Sequence, residues 1–223
     1  MDLNKIELPA KRKSQTGRIL LLLVCVFAGV RLVAAESKTV IFFGDSLTAG
    51  YGLDPDEAFP ALIQKKVDLA GIPAHVVNAG LSGETTAGGL RRLNWILRQK
   101  VDVFVIELGA NDGLRGIAPA VTRTNLQAMI EQVRTKYPHV VIVLAGMQLP
   151  TNLGPEYTQK FAAIFPELAK ANRLTLIPFL LAGVGGVPSL NQGDGMHPTA
   201  QGDQIVADNV WKTLEPLLTG TAE

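Results

Sequence analysis

One stretch decides the fold: Thr39-Val40-Ile41-Phe42-Phe43-Gly44-Asp45-Ser46-Leu47-Thr48-Ala49-Gly50. Its first half is continuously apolar, which predicts a strand buried on both faces of a parallel sheet. Open parallel sheets carry their chemistry in the crevice beyond the carboxyl ends of the strands. Ser46 follows this strand directly, so it is placed where a nucleophile would act. The alternative is a turn in which Gly44, Asp45 and Ser46 only reverse the chain and cap the next helix.

Apolar runs and helical patterns alternate along the rest of the chain. The predicted helices are 58–69, 90–97, 126–133, 161–171 and 199–218, and the further strands are 75–77, 101–108, 140–144 and 174–178. Five strands alternating with five helices predict an α/β three-layer sandwich, in which right-handed crossovers place helices on both faces of a parallel sheet. We expect the strand order 2-1-3-4-5.

Composition and charge limit the class of protein. The chain has 223 residues, of which 47% are hydrophobic and 18% charged, as expected for one globular domain with a single sizeable core. Residues 1–35 carry six Lys or Arg against two acids, so the remainder carries 15 against 18 and is mildly acidic. The basic residues of that remainder are scattered, which argues against a nucleic-acid partner.

The N-terminal segment has the pattern of a secretory signal peptide. Lys11, Arg12, Lys13 and Arg18 precede an apolar run, 19–30, that is too short to span a bilayer comfortably, and Val33-Ala34-Ala35 provides small residues for cleavage. We therefore expect a signal peptide over 1–35, a mature domain over 36–223, and export to the periplasm or the medium. In the alternative, the uncleaved segment anchors the protein to the membrane, facing the periplasm, and is its only membrane contact.

The only cysteine, Cys25, lies inside the predicted signal segment. A mature chain from Glu36 would contain none, which excludes a disulfide framework, a thiol nucleophile and cysteine-ligated metal.

Polar clusters follow the other predicted strands. They are Asn78–Thr86 after the second strand, Gly109–Asp112 after the third, and Gly193–Pro198 near the end of the chain. Loops after strands usually carry function. Each cluster also has a purely structural interpretation: Gly83 breaks the chain before a helix, Asn111 caps a helix, and Asp194 caps the last helix with His197 on its surface.

Nucleophilic catalysis would use all the clusters together. A serine hydroxyl needs a base to take its proton, and that base needs an acceptor that holds its tautomer. His197 is the candidate base, because it lies in a Gly- and Pro-containing loop with Asp194 three residues before it. The backbone N–H groups of Ser46 and Gly83 and the side-chain amide of Asn111 are candidate donors to an oxyanion.

The same residues resemble the SGNH, or GDSL-motif, hydrolases. Gly44-Asp45-Ser46-Leu47, Ser82-Gly83-Glu84-Thr85, Gly109-Ala110-Asn111-Asp112 and Asp194-Gly195-Met196-His197-Pro198 are similar to the four sequence blocks of that family, in the same order. Similarity to the branch of thioesterases, lysophospholipases and arylesterases extends through 111–116 and 149–154. The resemblance covers nearly all of the chain after Lys38.

The resemblance implies a flavodoxin-like fold and hydrolysis of acyl esters, thioesters or lysophospholipids through an acyl-enzyme. It implies Ser46, Asp194 and His197 as the catalytic residues, Ser46, Gly83 and Asn111 as the oxyanion hole, and no metal or organic cofactor. We expect a monomer acting on small acyl substrates. An α/β-hydrolase is disfavoured, because its nucleophile turn requires glycine two residues after the serine, where this chain has Thr48.

Two other functions remain open at the level of sequence. A carbohydrate O-deacetylase would use the same catalytic residues with an open, polar groove, and a non-catalytic protein would bind a lipid or glycan on the same scaffold. An apolar groove is favoured by leucine and phenylalanine residues in the loops after the fourth and fifth strands, although such residues are often plain core. They are Leu149, Leu153, Phe179, Leu180 and Leu181.

Overall fold

The computed structural model describes residues 36–221. The predicted signal segment, including Cys25, lies outside the described residues. The strands are β1 (Lys38–Gly44), β2 (Ala74–Gly80), β3 (Val103–Glu107), β4 (Val141–Ala145) and β5 (Thr175–Ile177). The helices are α1 (Ser46–Ala49), α2 (Phe59–Leu69), α3 (Thr86–Ile96), α4 (Ala110–Leu114), α5 (Pro119–Lys136), α6 (Pro155–Asn172) and α7 (Ala200–Thr219). Short 3₁₀ turns lie at Thr151–Leu153 and Pro188–Leu190.

All five strands form one parallel sheet in the order β2-β1-β3-β4-β5, which confirms the predicted topology. The chain runs from β1 outward to β2 and then returns to the other side of β1 to form β3. The strand order therefore reverses next to β1, and ligands bind at such reversals in open α/β sheets. In the register of the sheet, Gly44 lies beside both Gly80 and Glu107, so the last residues of β1, β2 and β3 meet at one edge.

The long helices form two layers, one on each face of the sheet. Helices α2 and α7 pack on each other, while α3, α5 and α6 pack together as a second group, as right-handed crossovers require. The core between the layers includes Val40, Ile41, Phe42 and Phe43 of β1, all fully buried. This explains the unbroken apolar run, because a central strand covered on both faces has no solvent-facing positions.

Differences from the sequence-based boundaries concern the helices most. Helices α5 and α6 begin seven and six residues earlier than their apolar periodicity indicated, at Pro119 and Pro155. Proline suits the first helical position, because its missing N–H would have no partner there. Helices α1 and α4 are additional, and each is a single short turn directly after a strand. Over residues 36–221, no helix is both long and apolar enough to cross a membrane.

Candidate active site

Ser46 is the first residue of α1, immediately after the carboxyl end of β1. Asp45 caps this helix, and its Oδ1 accepts a hydrogen bond from the Leu47 N–H at 3.0 Å. Gly50 ends the helix in the left-handed conformation, with φ of 74°. The capping role considered for Asp45 is therefore real, and it places Ser46, which is 8% exposed, at the edge of the sheet.

Three side chains distant in sequence form a continuous hydrogen-bonded chain. His197 Nε2 lies 2.8 Å from Ser46 Oγ, and His197 Nδ1 lies 2.6 Å from Asp194 Oδ2. The other oxygen of Asp194 accepts hydrogen bonds from the backbone N–H groups of Met196 and His197. The hydrogen bond from the His197 side chain, together with these backbone donors, lowers the pKa of Asp194 to about 2, so the group is a carboxylate at neutral pH.

The last helix does not use Asp194 as its cap. Thr199 caps α7 by accepting a hydrogen bond from the Gly202 N–H, and His197 lies before the helix rather than on its surface. The purely structural interpretation of the Asp194–His197 segment is therefore wrong. Asp194 instead contacts His197, and His197 in turn reaches Ser46.

Asn111 lies inside α4 and does not cap it. Its Nδ2 donates a hydrogen bond to Asp45 Oδ2 at 3.0 Å, which fixes the orientation of the amide. An amide nitrogen has two donors, so one N–H remains. Asn111 and Gly83 line the same cavity as Ser46 and His197, and Asp194 joins them through its hydrogen bond to His197.

Two sets of hydrogen bonds join the loop that contains Gly83 to the segment that carries Asn111. The Gly83 carbonyl accepts a hydrogen bond of 2.9 Å from Arg115 Nη2, just beyond α4. The side chain of Asp112 accepts hydrogen bonds from both the backbone N–H and the hydroxyl of Thr86, at the start of α3. Gly83 has a φ of 77°, a conformation that favours glycine. These hydrogen bonds connect the two segments that carry the candidate oxyanion donors Gly83 and Asn111.

A buried carboxyl group beneath the nucleophile turn was missed by the sequence analysis. Glu107, the last residue of β3, accepts hydrogen bonds through Oε2 from the backbone N–H groups of Asp45 and Thr48 and from the Thr48 hydroxyl. Burial, reinforced by the nearby Asp45 carboxylate, raises the pKa of Glu107 well above its usual range. A Cβ at Gly44 would lie 2.3 Å from Glu107 Oε2, which explains the glycine there.

The sequence analysis also missed Arg92, because this residue lies within α3 and outside all four sequence blocks. It forms a salt bridge with the buried Glu84 and donates hydrogen bonds to the carbonyls of Gly44 and Ala79. Its guanidinium group lies 4.2 Å from the centre of the Phe43 ring. Arg92 therefore ties the ends of β1 and β2 to the residue that follows Gly83. A charged end to an otherwise apolar strand was the available sequence signal for Glu107; Arg92 had no comparable signal.

The cavity in front of Ser46 has a volume of about 440 Å³ and is largely apolar. Of the residues predicted to form an apolar groove, Leu149, Phe179 and Leu181 line it. The prediction was wrong for the other two: Leu180 is buried in the core, and Leu153 is exposed outside the cavity. Between β5 and the 3₁₀ turn at Pro188–Leu190, consecutive glycines at 185 and 186 form part of the wall, where only backbone faces the cavity.

The sequence that forms this fold and site matches a protein-family model. The description of that model is GDSL-like Lipase/Acylhydrolase family, and it covers residues 42–205. The chain belongs to this family, which confirms the resemblance carried by the four sequence blocks.

Relatives extend the match to nearly the whole chain. Esterase TesA of Pseudomonas aeruginosa is 42% identical over 90% of this chain and 100% of its own length. Thioesterase 1/protease 1/lysophospholipase L1 of Escherichia coli is 39% identical over 83% of this chain and 87% of its own. Arylesterase of Vibrio mimicus is 35% identical over 88% and 98%.

Solved structures agree with the fold. A crystal structure of TesA superposes with a TM-score of 0.78 at 43% identity, covering 81% of this chain and 100% of that one. The psychrotrophic esterase EstA from Pseudoalteromonas sp., in a structure inhibited by monoethylphosphonate, superposes with a TM-score of 0.77 at 32% identity, covering 82% and 100%. The three-layer α/β fold is therefore the fold of this family.

Proposed function

We propose that the protein is a serine hydrolase that cleaves carboxylic ester and thioester bonds of acyl substrates through an acyl-enzyme. The observation that carries the proposal is the hydrogen-bonded chain Ser46–His197–Asp194 at the mouth of an apolar cavity. The names of the relatives, which include an esterase, a thioesterase/lysophospholipase and an arylesterase, support the same class of reaction.

In the first half of the reaction, Ser46 Oγ attacks the acyl carbonyl carbon while its proton passes to His197 Nε2, 2.8 Å away. The carbonyl oxygen becomes an oxyanion that accepts hydrogen bonds from the N–H groups of Ser46, Gly83 and Asn111. The bond to the leaving oxygen or sulfur then breaks, and His197 donates its proton to that atom. Asp194 stabilises the imidazolium ion through Nδ1.

In the second half, a water molecule takes the position of the leaving group. His197 Nε2 removes one proton from that water, its oxygen bonds to the acyl carbon, and the proton returns to Ser46 Oγ as the acid departs. The same three donors stabilise the second oxyanion. Ser46, Gly83, Asn111 and His197 line the cavity, and Asp194 acts from behind His197.

The apolar lining favours fatty or aromatic acyl esters over carbohydrate acetates, because a carbohydrate would need polar partners for its hydroxyl groups. The lining also suits a bound lipid that is not turned over. Catalysis is favoured by the ordered hydrogen bonds of the triad, since a simple lipid-binding site has no use for a carboxylate-held imidazole beside a serine.

The decisive test is turnover together with active-site labelling. We expect hydrolysis of p-nitrophenyl butyrate and of a butyryl thioester, and stoichiometric labelling of Ser46 by a fluorophosphonate. Ser46→Ala is the matched control and should lose both. Binding of butyrate esters without turnover, and without labelling, would contradict the proposal and favour a lipid-binding protein.

We also propose that the protein is exported, on the evidence of the basic and apolar segment within 1–35. Full-length protein made in a Gram-negative host should be found in the periplasmic fraction with a first residue near Glu36. Intact chain in the membrane fraction, with Met1 retained, would instead support the membrane-anchored alternative.

A further inference from the structure

Tyr51 has a position that neither the motifs nor the triad explain. Its ring lies beside the His197 imidazole, with ring centres 4.6 Å apart and planes inclined by 40°. It lines the same cavity as Ser46, and it is 53% exposed. The exposed part of the ring is therefore available to a molecule bound in the cavity.

The backbone of Tyr51 is held from two directions. Its N–H donates to the Ser46 carbonyl at 3.0 Å, at the end of the nucleophile turn. Its carbonyl accepts a 2.6 Å hydrogen bond from Gln192 Nε2, and the backbone N–H of Gln192 donates to the His197 carbonyl at 2.7 Å. Tyr51 is therefore fixed relative to both the nucleophile and the base, while its ring stays open to the cavity.

The proposed reaction places the leaving group beside this ring. His197 Nε2 must donate its proton to the leaving atom, so that atom lies within hydrogen-bond reach of Nε2 at the moment of bond cleavage. The Tyr51 ring is in contact with the same imidazole. A group attached to the leaving atom therefore meets the exposed part of the Tyr51 ring.

We propose that Tyr51 is a specificity-determining residue that recognises the leaving group by aromatic stacking and so favours an aryl over a saturated leaving group. The inference rests on the proposed serine-hydrolase function and adds the nature of the alcohol to it. Aromatic pairs prefer offset or edge-to-face arrangements, which a half-exposed ring can offer to an aryl ring but not equally to a saturated ring of the same size.

Kinetics can separate this role from support of His197. The leaving group is present during acylation and absent during deacylation, when water occupies its place. A residue that acts through the leaving group therefore affects acylation alone. A residue that acts by positioning His197 affects both steps, because the imidazole transfers protons in both.

The experiment compares phenyl acetate with cyclohexyl acetate, two esters with the same acyl group and leaving groups of similar size. We expect Tyr51→Ala and Tyr51→Leu to lower the phenyl-to-cyclohexyl ratio of kcat/KM by roughly three- to tenfold, the size of an aromatic pair interaction. Tyr51→Phe should retain the ratio. Trp95→Ala, which removes an exposed aromatic ring outside the cavity, is the control and should leave the ratio unchanged.

Deacylation is measured as the decay of radiolabelled acetyl-enzyme after rapid mixing and quenching. The rate constant in Tyr51→Leu should stay within about twofold of the wild type, because the leaving group has departed. An unchanged ester ratio, or a fall in deacylation parallel to that in acylation, would overturn the proposal. If the wild type cleaves neither ester and is not labelled at Ser46, the proposed function itself has failed, which is a different result.

Discussion

The turn that carries Ser46 and the loop that carries His197 meet at a 2.8 Å hydrogen bond, but they are built in opposite ways. Beneath the turn, the carboxyl groups of Asp45 and Glu107 are fully buried, and burial raises the pKa of both. In the loop, the Asp194 side chain is one-third exposed, and hydrogen bonding to His197 lowers its pKa to about 2.

The two parts of the site thus have different tasks: the buried carboxyl groups hold the Ser46 turn in place, and the exposed Asp194 keeps a negative charge. In the proposed mechanism the Asn111 amide must already be in place when the oxyanion forms, and it donates a hydrogen bond to the buried carboxyl group of Asp45, where reorganisation is costly. Asp194, which in the proposed mechanism stays ionised beside an imidazolium, is left partly in water, where desolvation opposes its charge only weakly. Variants in the loop should therefore change rates, and variants beneath the turn should change stability as well.

The largest expected effect comes from the loop. His197→Ala should lower kcat by at least about 10³-fold, since members of a triad act as a unit. The thermal midpoint should change by no more than about 2 °C, because the side chain contributes little buried apolar area. Steady-state kinetics and calorimetry on the same preparation test both parts. Turnover within tenfold of the wild type would exclude His197 as the base.

Asn111→Ala should have the next largest effect, because an oxyanion donor acts chiefly in the transition state. We expect kcat to fall by roughly 10²–10³-fold, or about 2.7–4 kcal/mol, with little change in KM. Asn209→Ala, which removes an exposed amide that bonds to the Ala182 carbonyl, is the matched control. A variant that melts several degrees lower but keeps wild-type turnover would remove Asn111 from the oxyanion hole.

Glu107 tests the buried side of the comparison. Glu107→Ala should lower the free energy of unfolding by about 3 kcal/mol, because it leaves three donors without an acceptor and opens a cavity. It should also lower kcat by roughly tenfold, since the nucleophile turn loses its support. Glu107→Gln keeps an acceptor of the same shape and should retain most of the stability and most of the kcat. Urea unfolding measures the free energy of unfolding of each variant, and initial rates measure its kcat. Equal losses in Glu107→Ala and Glu107→Gln would contradict this role of the carboxyl group.

The smallest effect is expected far from the triad, at Asp203 of α7. Its Oδ2 accepts a hydrogen bond from the Phe59 N–H, and burial raises its pKa to about 7. A carboxyl group whose pKa is raised by folding stabilises the fold below its ordinary pKa of 3.8, and this contribution is lost as the pH rises toward 7.

Asp203→Asn keeps the acceptor without the buried charge. The variant should therefore be more stable than the wild type at pH 8 by about 1–2 kcal/mol, with no gain at pH 4. Thermal midpoints at the two pH values measure this, and kcat should not change. A gain of equal size at both pH values would show that titration of Asp203 is not the cause.

Local patterns predicted the sheet well, because each strand and long helix has its own apolar signature. The handedness of the crossovers decides which face each helix covers, and the expected strand order is the one observed. The five candidate site residues were chosen from the chemistry of loops at strand ends. The short helices α1 and α4 were not predicted, because a single helical turn has no apolar periodicity. Asp45 caps α1, whereas α4 begins after Gly109 without a side-chain cap.

The supporting residues could not be predicted for a different reason. Glu107 contacts Asp45 across 62 positions of sequence, and Arg92 reaches the Gly44 carbonyl across 48. Such contacts depend on the register of neighbouring strands, which no single segment specifies. Tyr51 is close to Ser46 in sequence, but its neighbour His197 is contributed by the far end of the chain.

Because the cavity wall has no side chains at glycines 185 and 186, the volume of the cavity can be changed by substitution there. A side chain at Gly186 would meet nothing within 4 Å, but the φ of 78° there penalises any residue other than glycine. Gly185 has no such backbone restriction, and its first added carbon would lie 3.3 Å from the Phe179 ring. Substitutions at position 185 should therefore reduce the volume of the cavity, and no residue of the triad is changed. Alanine would already require a small shift of the Phe179 ring, and larger side chains would occupy more of the space.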